Sequence, residues 1–466
     1  MNELRKNDRV RLTVSGMTLQ GQGVARHEGL AVFIPAAAVG DELSVTITKR
    51  EKRLAYAKID EILQPGAARI TQDCGAYPRC GGCVFRHITY EEELRVKAQA
   101  VSDALFRLGK LTPEIRPILP APQTEHYRNK AQYPVGEFGG QLRSGFFAPR
   151  SHRLIPCEDC RLQPPEFAAL TRVVLEHAAR HGIAPYDETT HSGTLRHIYL
   201  RQSALTGQAL VCLVTNSGAA RDIESHATPA RVFPHADELY ATLQAAAPIC
   251  GIVQNINTQR TNVVLGEKTQ LLFGDDALED SVLGIALRVS PQSFYQVNHA
   301  QAERLYALAG DESALSGGET VLELHCGSGL LGLTMARRCR ELIGVDLAPA
   351  AIRDAKENAR RNGIENARFI CADANDAANL LCAEGLRPNV VLLDPPRTGC
   401  GTGLVGTVCK LAPPRIVYIS CNPATLARDC SLLAENGYTL LRVTPVDMFP
   451  RTAHVESVAL LQRADA

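Results

Sequence analysis

Val321-Leu322-Glu323-Leu324-His325-Cys326-Gly327-Ser328-Gly329-Leu330-Leu331-Gly332 is the stretch on which the fold turns. Its first four residues read as a short apolar strand, and the glycines behind them make a loop that opens a helix. Glycine lets a backbone approach a ligand closely, and the first amides of a helix have no partner inside it. Alone, Gly-x-Gly is a weak signal. The following strands strengthen it. A second strand, Glu341-Leu342-Ile343-Gly344-Val345, ends in Asp346, where an acid can accept hydrogen bonds from a ribose diol. A third, Arg368-Phe369-Ile370-Cys371, is followed by Asp373, placed for an adenine amino group. A fourth, Asn389-Val390-Val391-Leu392-Leu393, ends at Asp394-Pro395-Pro396-Arg397. From residue 290 strand and helix alternate in this way, the pattern of an α/β domain with a largely parallel sheet.

Four strand tips carrying Gly-x-Gly, Asp, Asp and Asp-Pro-Pro point to a site for S-adenosylmethionine (SAM). The loop lacks the third glycine of the dinucleotide fingerprint, and there is no pyrophosphate to cradle. Asp-Pro-Pro recurs in enzymes that methylate exocyclic amines of bases, where an aromatic follows and stacks on the base. Here Arg397 follows, which directs the reading to methylation at carbon.

The next strand tip supplies the group for it. Arg415 to Ile419 is apolar and buried in character, and it delivers Ser420-Cys421-Asn422-Pro423 into a turn. Proline belongs in the first helical turn, so a helix opens there. A thiol facing a helix N-terminus sits where the dipole favours thiolate. Such a thiolate can add to carbon 6 of a uracil ring, turning carbon 5 into a nucleophile toward a methyl sulfonium. A base must then remove the carbon 5 proton. The carboxylates beyond Cys421 include Asp429, Glu435, Asp447 and Glu456, the last in His454-Val455-Glu456-Ser457-Val458, where a loop meets a final apolar strand.

Earlier in the chain, residues 1–62 read as a small closed β-barrel. Arg9-Val10-Arg11-Leu12-Thr13-Val14 alternates as a strand does, Leu30 to Ile34 and Leu43 to Ile47 are further strands, and Lys49-Arg50-Glu51-Lys52-Arg53 is a local basic cluster. Closure removes sheet edges, and such barrels often present a face to oligonucleotides. Then come Cys74, Cys80 and Cys83, spaced C-x5-C-x2-C. Three close cysteines need a fourth ligand, and Cys157 and Cys160 are the candidates downstream. A three-plus-one arrangement favours an iron–sulfur cluster over zinc. Tyr90 to Leu108 reads as an amphipathic helix with Leu94, Val101, Leu105 and Leu108 on one face. Residues 160 to about 290 alternate strands and turns, with a hairpin around Thr206-Gly207. His126, His152, His191 and His197 are isolated there and read as structural or solvated.

At 466 residues the chain is long for one domain, and its 45% hydrophobic content supports real cores. No stretch approaches the ~20 apolar residues of a membrane span. Met1-Asn2-Glu3-Leu4-Arg5-Lys6 has no apolar segment behind its charges, so no leader is expected and the compartment is read as cytoplasmic. Fifteen cysteines in that setting stay reduced, available to metals and nucleophilic chemistry. The net charge is zero and gives no global argument for nucleic acid.

Taken together, Asp394-Pro395-Pro396-Arg397, Ser420-Cys421-Asn422-Pro423-Ala424-Thr425-Leu426-Ala427-Arg428-Asp429 and His454-Val455-Glu456 resemble the RNA uracil-C5 methyltransferases over nearly the whole chain. Gly21-Gln22-Gly23-Val24-Ala25 with Val32-Phe33-Ile34-Pro35 resembles the TRAM domain, an RNA-binding barrel. The resemblance implies three consecutive domains: an OB-like TRAM barrel (1–62), a β-rich central domain with an iron–sulfur cluster (63–289), and a Rossmann-like SAM-dependent methyltransferase domain (290–466). It implies Cys421 as nucleophile and Glu456 as base. SAM contacts are implied at Gln296, His325, Leu330, Asp346, Asp373 and Asp394. Leu330 stands where asparagine is common and Asp346 where glutamate is common, so Leu330 cannot offer a side-chain hydrogen bond. The family pattern also selects Cys160 over Cys157 as the fourth ligand, giving a structural [4Fe–4S] cluster on Cys74, Cys80, Cys83 and Cys160. The barrel and cluster resemble the branch acting on 23S ribosomal RNA, with a monomeric enzyme as the expectation. A non-catalytic RNA-binding or redox protein on the same fold would have no need to keep Cys421, Glu456 and Asp394 together.

Overall fold

A computed structural model describes residues 4–216 and 233–464; Met1-Asn2-Glu3, the start of the N-terminus read above as lacking a leader, lies outside the described residues. The chain packs as two compact units. One comprises Met1–Thr124, Asp311–Ser313 and Ala378–Ala466, the other Glu125–Gly310 and Ala314–Ala377. The units interleave along the sequence and do not follow the division at residues 62 and 289.

In the first unit, five strands close into a barrel: Arg9–Met17, Gln22–His27, Leu30–Pro35, Glu42–Arg50 and Leu54–Gln64. Leu12 and Val14, Val32 and Ile34, and Leu43, Val45 and Ile47 alternate into its interior. Asp41 accepts from the amides of Ala38 (2.7 Å) and Gly66 (2.9 Å) and pairs with Arg69 at 2.5 Å, fixing the barrel's exit to the segment that follows.

The helix Tyr90–Asp103 begins at Thr89, whose hydroxyl accepts from the amide of Glu92. It then passes into a π-helical turn, Ala104–Leu108. The wider turn shifts the phase of the apolar pattern. Val101 and Leu105 are buried as their spacing predicts, Leu94 is half-buried, and Leu108 is turned out to 63% exposure. Two charged residues occupy the buried face instead. Lys97 reaches Glu93 (2.7 Å) and Asp447 (2.6 Å), all three enclosed. Removing the lysine would leave buried carboxylates uncompensated, at a cost of about 3–5 kcal/mol.

The rest of this unit is a layered sheet whose strands lie in the order Val390–Leu393, Arg415–Ser420, Glu456–Arg463, Tyr438–Val446, Glu114–Ile115. The first two are parallel, and Glu456–Arg463 runs antiparallel to both its neighbours. Helices Gly401–Leu411 and Pro423–Glu435 belong to it.

The second unit contains a seven-stranded sheet, ordered Lys268–Gly274, Ile249–Ile256, Ala209–Thr215, Leu195–Gln202, Lys130–Phe138, Gln141–Phe147, Leu154–Pro156. The hairpin expected around Thr206-Gly207 is its antiparallel pair Leu195–Gln202 and Ala209–Thr215. Phe167, Leu170 and Val174 of the helix Pro165–Arg180 pack with Leu239 and Leu243 of Ala236–Ala246 and with Ile198, Leu200 and Val211 in one core. Three parallel strands, Ala367–Cys371, Glu341–Asp346 and Thr320–Leu324, follow in that spatial order and carry the glycine loop. No helix among the described residues is long and apolar enough to cross a membrane.

Candidate active site

Ile416, Val417, Tyr418 and Ile419 are buried, so the strand Arg415–Ser420 is held firmly and Cys421 emerges at its end. The helix Pro423–Glu435 starts at once: Asn422 caps it, accepting from the amide of Ala424 at 3.1 Å. Asn422 Nδ2 and Thr425 Oγ1 donate to the carbonyl of Arg397 at 3.1 and 3.3 Å, tying the Asp394-Pro395-Pro396-Arg397 turn to the same helix end. Strand register supplies the partner. Ile419 pairs with Val458 and Ser420 with Ser457. Cys421 and Glu456 are the residues just beyond that last pair, and the charge of Glu456 reaches the Cys421 thiol.

The alternatives to Glu456 are employed elsewhere. Asp429 accepts from Tyr418 (2.7 Å), the amide of Cys400 (2.7 Å) and Arg428 (2.8 Å). Asp447 is held by Tyr90 and Lys97, and Glu435 is exposed. Glu456 is 7% exposed, and burial, with Asp394 adding to it, pushes its carboxyl up to about 8. Burial likewise lifts Asp394 to about 7.

Cys421 departs from the sequence expectation. Burial raises its thiol, the charge of Glu456 adds to that, and Arg397 opposes both through its charge and a hydrogen bond to the sulfur. A helix terminus contributes only ~0.3–1 kcal/mol near a charge, too little to outweigh desolvation beside two carboxylates. The cation that matters is therefore Arg397, whose Nη2 also lies 3.3 Å from the His454 ring nitrogens. Sequence reading notes Arg397 only as a departure from an aromatic. Its signal was the adjacency of Asp-Pro-Pro to a cation in a chain that also offers a cysteine.

In the second unit the glycine loop is tightly shaped. His325, Gly327 and Gly329 all have positive φ (+64°, +55° and +72°). A Cβ on Gly329 would come 2.8 Å from the Phe369 ring, so the turn needs glycine. Asp346 accepts from Gly327 N (2.9 Å) and Ala348 N (2.8 Å), which orients its carboxylate at the strand tip. His325 is shifted down by burial, with Asp346 and Asp373 opposing. Asp373 has a second duty that the sequence did not disclose. Its Oδ1 accepts from the amides of Asn375 and Asp376 at the start of the helix Ala374–Ala383. Gln296 is half-buried in a segment fixed by Asn129, which donates from Nδ2 to Gln296 O (3.0 Å) and from its amide to Val297 O (2.8 Å). Leu330 is buried at 5% exposure, whereas Leu347, directly after Asp346, is 68% exposed. Open space over Gly327 and an apolar residue standing free beside an acid suit a nucleoside with a flat base. The residues present fit SAM.

Cys74, Cys80 and Cys83 lie in the first unit, Cys157 and Cys160 in the second, all partly exposed and none in a disulfide. Gly82 N points at the Cys80 sulfur at 3.4 Å. Cys160 is drawn down by a hydrogen bond with Cys157, the amides of Leu162 and Gln163, and Arg128. Amides and a cation aimed at the Cys160 sulfur suit a thiolate there. Three of the four isolated histidines have partners, His126 with Gln163 O, His152 with Glu188 and His191 with Tyr186, whereas the Nδ1 of His197 is buried with no hydrogen-bond partner among the described residues. A group missed from sequence is His177, His181 and Glu238, whose ligand atoms lie within 4.8 Å of one another. Glu238 is paired there with Arg180, and His177 with the carbonyl of Pro234.

Comparison with known proteins shows the family and the fold. Residues 253–464 match the tRNA (uracil-5-)-methyltransferase family model, and residues 3–59 match the TRAM domain. A protein of Halalkalibacterium halodurans named as an uncharacterized RNA methyltransferase is 40% identical over 461 residues, 98% of either chain. One of Clostridium tetani with the same description is 37% identical over 459 residues, 98% of this chain and 97% of its own. Among solved structures, the tRNA (uracil-54, C5)-methyltransferase of Pyrococcus abyssi, in complex with S-adenosyl-L-homocysteine, has a TM-score of 0.75 at 24% identity. That match covers 97% of this chain and all of the other.

Proposed function

The chain belongs to the RNA uracil-5-methyltransferase family and is a SAM-dependent methyltransferase, and from that premise we propose that it methylates carbon 5 of a uridine in 23S ribosomal RNA through a covalent adduct at Cys421. The observation that carries this reading is the pairing of Ser420 with Ser457, which brings Cys421 and Glu456 to the same end of adjacent strands, with Arg397 lowering the thiol that burial raises.

Cys421 adds to carbon 6 of the uracil, and Arg397 stabilises the thiolate that does so. Carbon 5 becomes an enolate carbon able to take a methyl group. SAM, when bound, supplies that methyl as an electrophile. Gln296, His325, Leu330, Asp346 and Asp373 are the second unit's cofactor residues, and Asp394 is the first unit's. Glu456 then removes the carbon 5 proton, so that the sulfur is expelled and 5-methyluridine released. A carboxyl lifted to about 8 by burial suits a proton that is hard to remove, because its conjugate base is stronger than an ordinary carboxylate. The target must leave its stack, at a cost of a few kcal/mol that is lowest in a loop or single strand.

Cys74, Cys80 and Cys83 are the first unit's cluster ligands and Cys160 the second unit's. The [4Fe–4S] group they would hold has a structural part to play. The barrel, matching a TRAM domain, binds RNA, and the enzyme works as a cytoplasmic monomer. Barrel and cysteines together support ribosomal over transfer RNA.

The test uses a 23S rRNA transcript and a transfer RNA, both containing 5-fluorouridine, incubated with protein and SAM. Fluorine cannot leave as a proton does, so the enzyme stalls as a protein–RNA adduct on a denaturing gel. An adduct on 23S rRNA alone, absent in Cys421→Ala, is the expected result. An adduct on transfer RNA keeps the chemistry and overturns the substrate. No adduct on either overturns the covalent mechanism.

A further inference from the structure

Glu456 is the first residue of its strand, so its position is set from two sides. On one, it pairs with Val446. On the other stand residues 447–455, which carry His454, and these are bolted down with unusual thoroughness. Lys97 Nζ donates to Asp447 Oδ1 (2.6 Å) and to the carbonyl of Phe449 (3.1 Å). Tyr90 donates to Asp447 Oδ2 (2.7 Å). The densest point is Arg451. Its amide donates to Glu93 Oε1 (2.6 Å), and its Nη1 donates to Ile88 O (3.1 Å). Its guanidinium lies 5.8 Å from the centre of the Tyr90 ring. Its carbonyl accepts two amides, Val84 N (2.8 Å) and Phe85 N (3.2 Å). Val84 directly follows Cys83, so the cysteine segment ends on the loop that leads to the base. Arg451 holds φ +69°, a conformation that costs a non-glycine residue energy. A residue kept there against its preference has surroundings that over-determine it.

None of these bonds touches Cys421. Its turn is fixed separately, by Asn422, Thr425 and the Arg397 carbonyl. The two groups share the strand pairing that ends at Ser420 and Ser457 and the Arg397–His454 contact, but the bonds of Arg451 reach only the loop that leads to Glu456.

We propose that Arg451 is a positioning residue for Glu456, holding the base loop against the helix Tyr90–Asp103 and the cysteine segment, and so governs the elimination step rather than thiolate addition or methyl transfer. The proposal rests on the reading of Glu456 as base. At the step in question, carbon 5 of the uracil bears the new methyl and a hydrogen, and carbon 6 bears the Cys421 sulfur. Glu456 takes the proton, the C–H electron pair becomes the C5=C6 double bond, and the C6–S bond breaks with its pair leaving on sulfur as thiolate. Proton abstraction is sensitive to placement, since an ångström of displacement can cost about a hundredfold. A loosened base loop consequently strands the enzyme after methylation, still joined to RNA.

The experiment uses full-length protein purified anaerobically, SAM carrying a labelled methyl, and ordinary uridine RNA of the kind that traps the enzyme in the fluorouridine assay. Arg451→Gly keeps the left-handed backbone, and thus its amide and carbonyl bonds, while deleting the side chain. It is expected to accumulate at least about tenfold more methylated protein–RNA adduct than wild type on a denaturing gel. Single-turnover methyl incorporation is expected to stay within about threefold of wild type. Arg451→Lys, which keeps a cation near Tyr90, is expected to give an intermediate amount, and it serves as the reporter if the glycine variant does not fold. Methyl incorporation and turnover falling together without adduct, or turnover equal to wild type, overturns the positioning role. Glu456→Gln is run beside them and should accumulate the most adduct. If it accumulates none, the base assignment is what fails, and this proposal fails with it.

Discussion

Cys326 and Cys421 occupy matching places in the two units. Each follows a buried strand, Cys326 one residue beyond Thr320–Leu324 and Cys421 directly after Arg415–Ser420, and each precedes a helix. Burial is the first cause raising both thiols, and carboxylates add to it in both. Cys326 has no opposing cation among those causes. It is 6% exposed and fills space against Gly344, where a Cβ would come 3.1 Å from its sulfur. Cys421 is half-buried, has Arg397 bonded to its sulfur, and lies with Glu456 at the same end of adjacent strands. A strand tip thus makes a place for a thiol without making it a nucleophile. At Cys421 it is the cation Arg397 that favours the thiolate, against burial and the neighbouring carboxylates.

The sharpest way to break the contrast is to exchange each sulfur for a methyl. Cys421→Ala should lower labelled methyl transfer from SAM to RNA by about 10⁴-fold or more, whereas Cys326→Ala should stay within a few-fold. Comparable losses in both would remove the distinction. Arg397→Gln comes next, with an expected loss of about 10²-fold and a shift of Cys421 alkylation by iodoacetamide to still higher pH. Peptide mass spectrometry across a pH series reads that shift, and an unmoved curve would clear Arg397 of any part in thiolate formation. The base gives a smaller signature. As the proposed base, Glu456 would work only when deprotonated, and its carboxyl is lifted to about 8, so turnover should climb about tenfold between pH 7 and 9. A profile flat across that range would show another group limiting the rate.

The smallest effect concerns stability. Unfolded, Glu456 ionises near its ordinary 4.5; folded, it ionises near 8. Between those values the native state holds a proton the unfolded chain lacks, so this group's contribution is complete below about 4.5 and drains away as pH rises toward 8. Glu456→Gln should accordingly be more stable than wild type at pH 8.5, by on the order of 1–3 kcal/mol, and little different at pH 4.5. Urea melts at the two pH values measure this, and a gain that shrank with rising pH would contradict the buried, protonated carboxyl.

Much of this was legible in residue order because the controlling forces are local. Alternation wrote the barrel strands, Gly327 and Gly329 wrote the tight turn, and Asn422-Pro423 wrote the helix start. What escaped depends on groups far apart in sequence. Lys97 is enclosed with Asp447, 350 positions later in the chain. Leu108 reads as core and is exposed because a π-turn, which has no clear signature in composition, slips the phase after Asp103. The state of Cys421 could not follow from its helix alone, since Glu456 and Arg397 decide it. Asp373 looked like a ligand group only, because capping requires knowing where the next helix begins.

The order of strands in the first unit has a consequence for how the protein comes into being. Glu456–Arg463, late in the sequence, lies between Arg415–Ser420 and Tyr438–Val446, while the barrel and the helix Tyr90–Asp103 belong to the same unit from the opposite end of the chain. A ribosome delivers the N-terminal portion first, and regions that need only local contacts can fold while the rest is still being made. This sheet cannot. Until residue 463 has emerged, the strand Arg415–Ser420 lacks its full pairing with Glu456–Arg463. The pairing that brings Cys421 and Glu456 to one end of the sheet therefore forms late, after both strands have been made.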